Sequence, residues 1–389
     1  MTNYEPLGNH IELVDIRNKD SVTDEVLGIN IDKFFMPSVA NVIGTDLSKY
    51  KLISKGLFAC NPMHVGRDER LPVALYDKEI PALVSPAYFM FRVKDNRVLN
   101  EEYLMMWFRR PEFDRLCWLR TDGSVRGGIT WNDICRLEVP VIPYDEQLSI
   151  VRNYRDLTNR IELKRKINDN LAEQCSTDYT HMLSGYTVES TDLPFGWSKA
   201  SIGSYSDVKS GFAFKSDWWT DKGYKVIKIA NIVNNSIDLD TCDHVSPDNA
   251  QKANNFFVRS GDILIAMTGA TTGKIGVVPF SDEPIVVNQR VGKFFLGENP
   301  IEKAPFLYST LLYDRVARHL QPDGTAGSAQ DNLSADNIKD IAIVLPEKSV
   351  IDSFNKQHIP HLKTMMANCA EIRVLNKLAG TLLQTISSR

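Results

Sequence analysis

The sequence predicts an α+β protein in which one architectural unit is used twice: two heads with mixed sheets, separated by two long helices that pair as an antiparallel coiled coil. Three observations predict it. Sequence blocks recur in the same order at a nearly constant offset. Each copy mixes short β-rich runs with one helical run, and each copy ends in a long segment with helical apolar spacing.

The recurrence divides the chain. "KLISKGLFACNP" (51–62) corresponds to "FVRSGDILIAMTG" (257–269), and "EIPALVSPAYFMFRV" (79–93) to "EPIVVNQRVGKFFL" (283–296). "GSVRGGITWNDICRLEVPVIP" (123–143) corresponds to "GSAQDNLSADNIKDIAIVLP" (327–346). The offsets from Gly56 to Gly261, Ser85 to Asn288 and Gly123 to Gly327 lie within one residue of 204. The expected parts are a first head over 1–144, a first long helix over 145–185, a second head over 186–346 and a second long helix over 347–389.

Within the second head, "KVIKIANI" (225–232), "GDILIAM", "KIGVVPF" and "PIVVNQRVGKFFL" follow one another as strands broken by glycine and asparagine turns. "PFLYSTLLYDRVARHL" (305–320) predicts one amphipathic helix, matched in the first head by "NEEYLMMWFRRPEFDRLC" (100–117). The glycine-rich "TGATTGKIG" (268–276) invites comparison with a nucleotide-binding loop. Gly269 to Gly273 is one residue too short for that pattern, and Ile275 stands where a magnesium-binding hydroxyl belongs. A turn between two strands is the simpler reading, and such a turn can still grip a phosphate.

The long segments carry the pairing. The first, with Asp145 as its cap, has an apolar stripe of Leu148, Val151, Tyr154, Leu157, Ile161, Ile167 and Leu171, interrupted by Lys164. In the second, Leu362, Met365, Cys369, Ile372, Asn376, Ala379, Leu383 and Ile386 alternate spacings of three and four, a heptad seam. Asn376 either sets the register of that seam or turns to solvent. Pro360 predicts a kink or a restart just after it. Two related helices in one chain supply each other's partner.

Composition restricts function. With 43% hydrophobic and 24% charged residues over 389 positions, the chain is globular and large enough for two or three domains. No apolar run approaches the ~18 residues that span a bilayer, and the N-terminus lacks a signal-like pattern, so a cytoplasmic protein without membrane contact is expected. Six cysteines without a Cys-x-x-Cys pair suit free thiols in a reducing compartment. Cys242 with His244, and His358 with His361, can each supply two metal ligands, but neither pair has a third nearby and no metal is expected. The net charge of −4 does not advertise a nucleic-acid partner, although 152–166 carries six basic residues against two acidic ones, as a solvated helix face does. No catalytic constellation is apparent, and "NPMH" (61–64) holds only the first two residues of an adenine-methylase motif.

The blocks "SGDILIAMTGATTGKIGVV", "VVNQRV" and "GSAQDNLSADNIKDIAIVLP", with "VSPAYFMF" and "GSVRGGITWNDICRLEVPVIPYDEQ" in the first half, resemble the target recognition domains of type I restriction-modification specificity subunits. The resemblance covers residues 26 to 389. It implies a non-catalytic DNA-recognition subunit whose two heads each read half of a split double-stranded DNA target. It also implies that the helices act as a ruler and docking site for two methyltransferase subunits, with restriction/translocase subunits completing the complex. S-adenosylmethionine, ATP and Mg are expected in those partners and none in this chain. A rod of roughly 30 helical residues is about 45 Å long, against about 34 Å per turn of DNA. The first helix begins "YDEQLSIV" and the second "EKSVIDSF", a loss of acidity that puts docking at the second in doubt.

Candidate DNA-reading residues are polar or basic and lie on loops. In the first head they are Asn61, His64, Arg67, Ser124 and Arg126; in the second, Lys209, Ser210, Lys215, Thr271, Thr272, Lys274, Gln289, Arg290, Gln330 and Asn332. Phe212, Phe214, Trp218 and Trp219 are read as core rather than as stacking platforms. Because the heads differ between the shared blocks, unlike half-sites are expected. The competing readings are a recognition module from a system with cleavage and methylation in one polypeptide, a P-loop enzyme, and a scaffold whose heads bind protein.

Overall fold

The structure, a computed structural model, describes residues 3–39, 44–63, 65–121, 127–321 and 333–386. It divides into two compact units, Met1–Asn159 with Asn376–Arg389, and Arg160–Leu375. Both long helices, Tyr144–Leu183 and Lys348–Thr385, contribute to both units.

In the first unit an antiparallel sheet runs in the order Ile11–Leu13, Phe89–Val93, Phe58–Cys60, Val73–Leu75. A second sheet runs Phe35–Pro37, Val26–Ile29, Ala82–Val84, Lys51–Ile53, with Val26–Ile29 parallel to Ala82–Val84. A ribbon of Asn3–Pro6 with Glu138–Val141 leads into the first long helix.

The single helix expected over 100–117 is two helices, Glu101–Phe108 and Pro111–Trp118. Pro111 fits the first position of the second, where its missing N–H costs nothing, and it holds Arg110 extended. Asn100 caps the first by accepting from the N–H groups of Glu102 and Tyr103. The break turns Trp107, Phe108 and Phe113 into one aromatic cluster with Phe58 and Phe91. Beside it lies a buried ion pair: Lys33 Nζ is 2.6 Å from Asp114 Oδ1 and donates to the Leu71 carbonyl, while Leu71 N–H donates to Asp114. Burial pulls the Lys33 ammonium below the ordinary lysine range, and Asp114 opposes that shift.

The second unit repeats this plan with additions. Asp207–Ser210, Val291–Phe295, Ile263–Ala266 and Ile275–Val277 follow the order of the first unit's antiparallel sheet, extended by Ser236–Ile237 and Ile232–Val233. Asp243–Val245, Tyr224–Ile227, Ile285–Val287 and Phe257–Val258 repeat the mixed sheet, again with one parallel pair, Tyr224–Ile227 with Ile285–Val287. Trp219–Thr220 joins it at one edge. The ribbon of Ser198–Ser201 with Ala342–Leu345 leads into the second long helix. The expected helix over 305–320 is again two, Ala304–Leu312 and Asp314–Leu320, broken at an extended Tyr313 whose ring meets Tyr179. The first of these is buried from Ala304 to Leu311, so it is a core helix rather than an amphipathic one.

Inside the second unit the long helices run antiparallel: positions rising from 160 to 178 meet positions falling from 371 to 357. Arg160 and Lys164 pair with Glu371, Asn168 accepts from the Asn368 amide at 2.8 Å, and Gln357 donates to Asp178 at 3.1 Å. Lys164 does not interrupt the seam but joins it, donating to Asn368 Oδ1 at 2.9 Å, and Asn168 occupies the inner face while Ile167 is exposed. Asn376 turns to solvent. Asn368, 6% exposed, is a buried polar residue of the seam and Leu375 is buried beside the position expected for Asn376. Ile161 and Leu362 are buried; Leu157, Leu171, Cys369 and Ile372 are half-buried.

In the first unit, Ile150, Val151 and Ile386 belong to the head's core with Tyr154, Leu382 and Leu383 packed on it, and Leu148 is half-buried. Pro360 does not restart the second helix, which continues through it, since one missing N–H removes a single bond from a helix anchored by buried Phe354, His358 and Leu362. Asp145 is not the cap: the helix begins at Tyr144, and Asp145 and Glu146 lie in its first turn, where their charge suits the dipole.

The buried ion pair generates a prediction. Asp114→Ala strands the Lys33 ammonium and should cost the first unit about 3–5 kcal/mol, whereas the double variant Lys33→Met with Asp114→Leu should recover most of it. Urea unfolding followed by the fluorescence of the first unit's tryptophans checks this; equal losses in the single and double variants would contradict it.

Candidate nucleic-acid interface

Antiparallel pairing decides which loops meet. In the second unit Ser210 pairs with Gly292, Ala266 with Val291 and Ile265 with Ile275. The end of one strand therefore lies beside the start of the next, and the segments 209–212, 267–274 and 288–291 share one sheet edge. Backbone hydrogen bonds knit them: Gln289 N–H donates to the Phe212 carbonyl at 2.9 Å, Met267 N–H to Arg290 at 3.0 Å, and Gly211 N–H to Val291 at 2.9 Å. Seven of the candidates, Lys209, Ser210, Thr271, Thr272, Lys274, Gln289 and Arg290, are on these segments.

The opening stretch, 268–276, is a strand–turn–strand. A short 3-10 turn, Gly269–Thr271, is closed by Thr272 Oγ1 donating to the Gly269 carbonyl at 2.7 Å, and Ile275–Val277 follows Lys274 directly. No helix N-terminus lies after the lysine to bind phosphate in the manner of a nucleotide loop, so the geometry of a P-loop is absent here. Gly273 is required, because at φ +81° a Cβ would stand 2.2 Å from the Leu320 carbonyl oxygen. The hydroxyls of Thr268 and Thr271 are buried without a hydrogen-bond partner among the described residues.

The electrostatics of the edge are one-sided. Lys274 and Arg290 are exposed and enter no ion pair among the described residues, and the same holds for Lys215. Lys209 meets Asp207 at 3.4 Å, an exposed contact and a weak neutraliser in water, and lies 5.3 Å from the Phe295 ring centre. Lys215 lies 5.5 Å from the Trp218 ring centre. Phe212, Phe214, Trp218 and Trp219 pack on Val226, Val245 and Val286, and Lys252 and Lys228 cover Trp218 and Trp219 at 4.2 and 3.8 Å. Lys252 was not found from sequence, because it reaches the cluster from another segment, at the end of the helix Pro247–Gln251.

In the first unit Asn61 folds on itself, its Oδ1 accepting from Met63 N–H at 3.1 Å, and Arg67 pairs with its neighbour Asp68 at 2.6 Å. His64, Ser124, Arg126, Gln330 and Asn332 lie outside the described residues. One bond nevertheless recurs in both units: Ile129 N–H donates to the Pro62 carbonyl at 3.1 Å, and Leu333 N–H to the Met267 carbonyl at 2.9 Å. Each ties the segment before the short helix, Trp131–Cys135 or Ala335–Lys339, to the end of an inner sheet strand.

With this geometry in hand, comparison with known proteins bears on the second half of the chain most directly. Residues 194–375 match the type I restriction modification DNA specificity domain. This stretch is similar to the domain of that family. The specificity domain is similar to curated specificity subunits as well. The chain is 27% identical over 196 residues, 47% of its length and 46% of the other's, to the type I restriction enzyme MjaVIII specificity subunit of Methanocaldococcus jannaschii. It is 32% identical over 106 residues, 26% of its length and 18% of the other's, to the EcoAI specificity subunit of Escherichia coli. The matched stretches thus span less than half the length of either relative. The fold of the whole chain is that of the type I restriction-modification S subunit from M. genitalium, with a TM-score of 0.56 and 16% identity over 99% of this chain and 96% of that one. The resemblance read from the repeated blocks is supported by the domain match over 194–375 and by these specificity-subunit relatives. Among the described residues no helix is long and apolar enough to cross a membrane.

Gly273→Ala should distort the loop of the specificity domain. Left-handed strain costs about 1–2 kcal/mol, and the collision with the Leu320 carbonyl adds to it. A thermal midpoint lower than that of Gly44→Ala, where no atom of the described residues lies within 4 Å of the added Cβ, is the expected reading.

Proposed function

We propose that this chain is the non-catalytic, sequence-reading subunit of a type I restriction-modification complex, and that each unit reads one half of an asymmetric, bipartite double-stranded DNA target. The observation that carries this reading is the sheet edge on which Lys274, Arg290, Ser210 and Gln289 converge, its two cations unpaired among the described residues. Unneutralised lysine and arginine on a rigid frame bind phosphates, and polar side chains beside them reach base edges. The recurrence of the anchoring bond in the first unit supports a second reading surface of the same construction.

Catalysis then belongs to partners. Two methyltransferase subunits would dock on the paired long helices, with S-adenosylmethionine there, and restriction/translocase subunits would supply ATP- and Mg-dependent cleavage. The chain itself needs to hold, orient and discriminate DNA, and requires no cofactor to do so.

Two outcomes are expected. Arg290→Ala should lower DNA affinity by about 1–3 kcal/mol and relax specificity at one base position if the guanidinium meets a guanine. Lys274→Ala should weaken all sequences alike and reduce the salt slope by about one. Fluorescence anisotropy across a salt series separates these roles, and unchanged affinity in both variants would remove the sheet edge from the interface. Exchanging residues 194–346 for those of a relative should change one half of the methylated motif in a genome-wide adenine-methylation map; a change in both halves would refute the modular reading.

A further inference from the structure

The pairing of the long helices brings together three donors that neither helix holds alone. His358 and His361 lie one turn apart on the second helix, and Cys175 faces them from the first. Cys175 Sγ is 3.4 Å from His358 Nδ1 and 3.9 Å from His361 Nδ1, and the two Nδ1 atoms are 3.0 Å apart. The sequence offered the two histidines without a third ligand; Cys175 is that ligand, supplied from 183 residues away.

Those separations are the edges of a coordination shell. With Zn–S of about 2.3 Å and Zn–N of about 2.0–2.1 Å, tetrahedral corners put sulfur and nitrogen about 3.6 Å apart and two nitrogens about 3.3 Å apart. Shifts of a few tenths of an ångström would seat a cation. The environment fits as well. His358 is fully buried and Cys175 is 4% exposed. His358 Nε2, turned away from the cluster, has no hydrogen bond among the described residues but lies 3.4 Å from Asp178 Oδ2, one turn beyond Cys175. A carboxylate behind the outer nitrogen of a histidine is the arrangement that orients metal-bound imidazoles. Packing of His358 on Phe354, with ring centres 4.3 Å apart, accounts for its burial but not for the convergence of its nitrogen on His361 and a sulfur.

Burial, followed by the repulsion of His361, keeps the His358 ring below the ordinary histidine range and so neutral, the form that binds metal. Burial also pushes the Cys175 thiol up to about 11, with Asp178 adding to the shift. Binding must therefore release a proton from Cys175 to solvent as its sulfur takes the cation, which a zinc-class ion is able to force.

We propose that Cys175, His358 and His361 form a binding site for a zinc-class divalent cation that joins the two long helices within the second unit, with Asp178 orienting His358 and water in the fourth position on the half-exposed His361 side. The site is a structural clamp that links helix pairing to metal supply.

Cobalt(II) added to the metal-stripped full chain tests this. One equivalent should produce a thiolate-to-cobalt charge-transfer band and the intense visible bands of a tetrahedral site, both abolished by zinc, and zinc should raise the thermal midpoint. Cys175→Ser should lose the charge-transfer band, and Asp178→Asn should keep the 1:1 stoichiometry while weakening binding 10- to 100-fold. Absence of cobalt binding, a spectrum without sulfur ligation in the unaltered chain, or a charge-transfer band that persists in a folded Cys175→Ser variant would each overturn the site.

Discussion

The fold rests on one requirement: two long helices, of 40 and 38 residues, must each cover an apolar stripe that water would otherwise meet. Helices of this length owe their stability to packing rather than propensity. Each stripe is covered twice over. In the second unit, Ile161 and Leu362 are buried along the antiparallel pairing; in the first, Val151 and Ile386 become part of the head's own core. A change to the face of either helix therefore reaches the core of a head, so the helices are structural members of both units rather than linkers.

Apolar burial alone leaves register loose, and the seam is polar where register is set. Asn168 and Asn368 meet one another, Lys164 donates to Asn368, and Arg160 and Lys164 share Glu371. A slip of one turn would leave Asn368, nearly fully buried, without partners, at a cost of about 1–3 kcal/mol for each stranded group. Buried amides at a helix interface are the best-attested device for fixing alignment. The Cys175–His358–His361 cluster depends on the same alignment, since its sulfur comes from one helix and its two nitrogens from the other.

Much of this was legible in the sequence for a physical reason: a duplication repeats every constraint, so weak signals at Gly56 and Gly261 or at Gly123 and Gly327 reinforce one another. The strand-rich heads, the two long helices and the turn at 268–276 follow from local pattern. What escaped is what depends on three dimensions. Lys164 looked like a flaw in a stripe because the sequence does not display the Asn368 that receives it. Asn376 looked like a core position because a spacing of three and four tolerates a phase error of one residue, and Leu375 takes that place. The breaks at Arg110 and Tyr313 lie inside runs of good helical periodicity; Pro111 announced the first, and nothing local announced the second. At the sheet edge, residue type suggested Lys274 and Arg290, but only strand pairing brings them together.

The duplicated frame and its unequal decoration also explain how one construction can yield two different surfaces. The bond from Ile129 to Pro62 and that from Leu333 to Met267 occupy equivalent places, so both units fix the same loop to the same strand end. Around that anchor they diverge. Among the described residues, Trp219–Thr220, Ile232–Val233 and Ser236–Ile237 extend the sheets of the second unit without counterparts in the first. On the equivalent inner loops, Arg67 is paired with Asp68, whereas Lys274 has no ion pair among the described residues. Backbone hydrogen bonding thus holds the frame constant while side chains at the strand ends vary without cost to the core, the division of labour that allows a binding surface to change specificity and keep its fold.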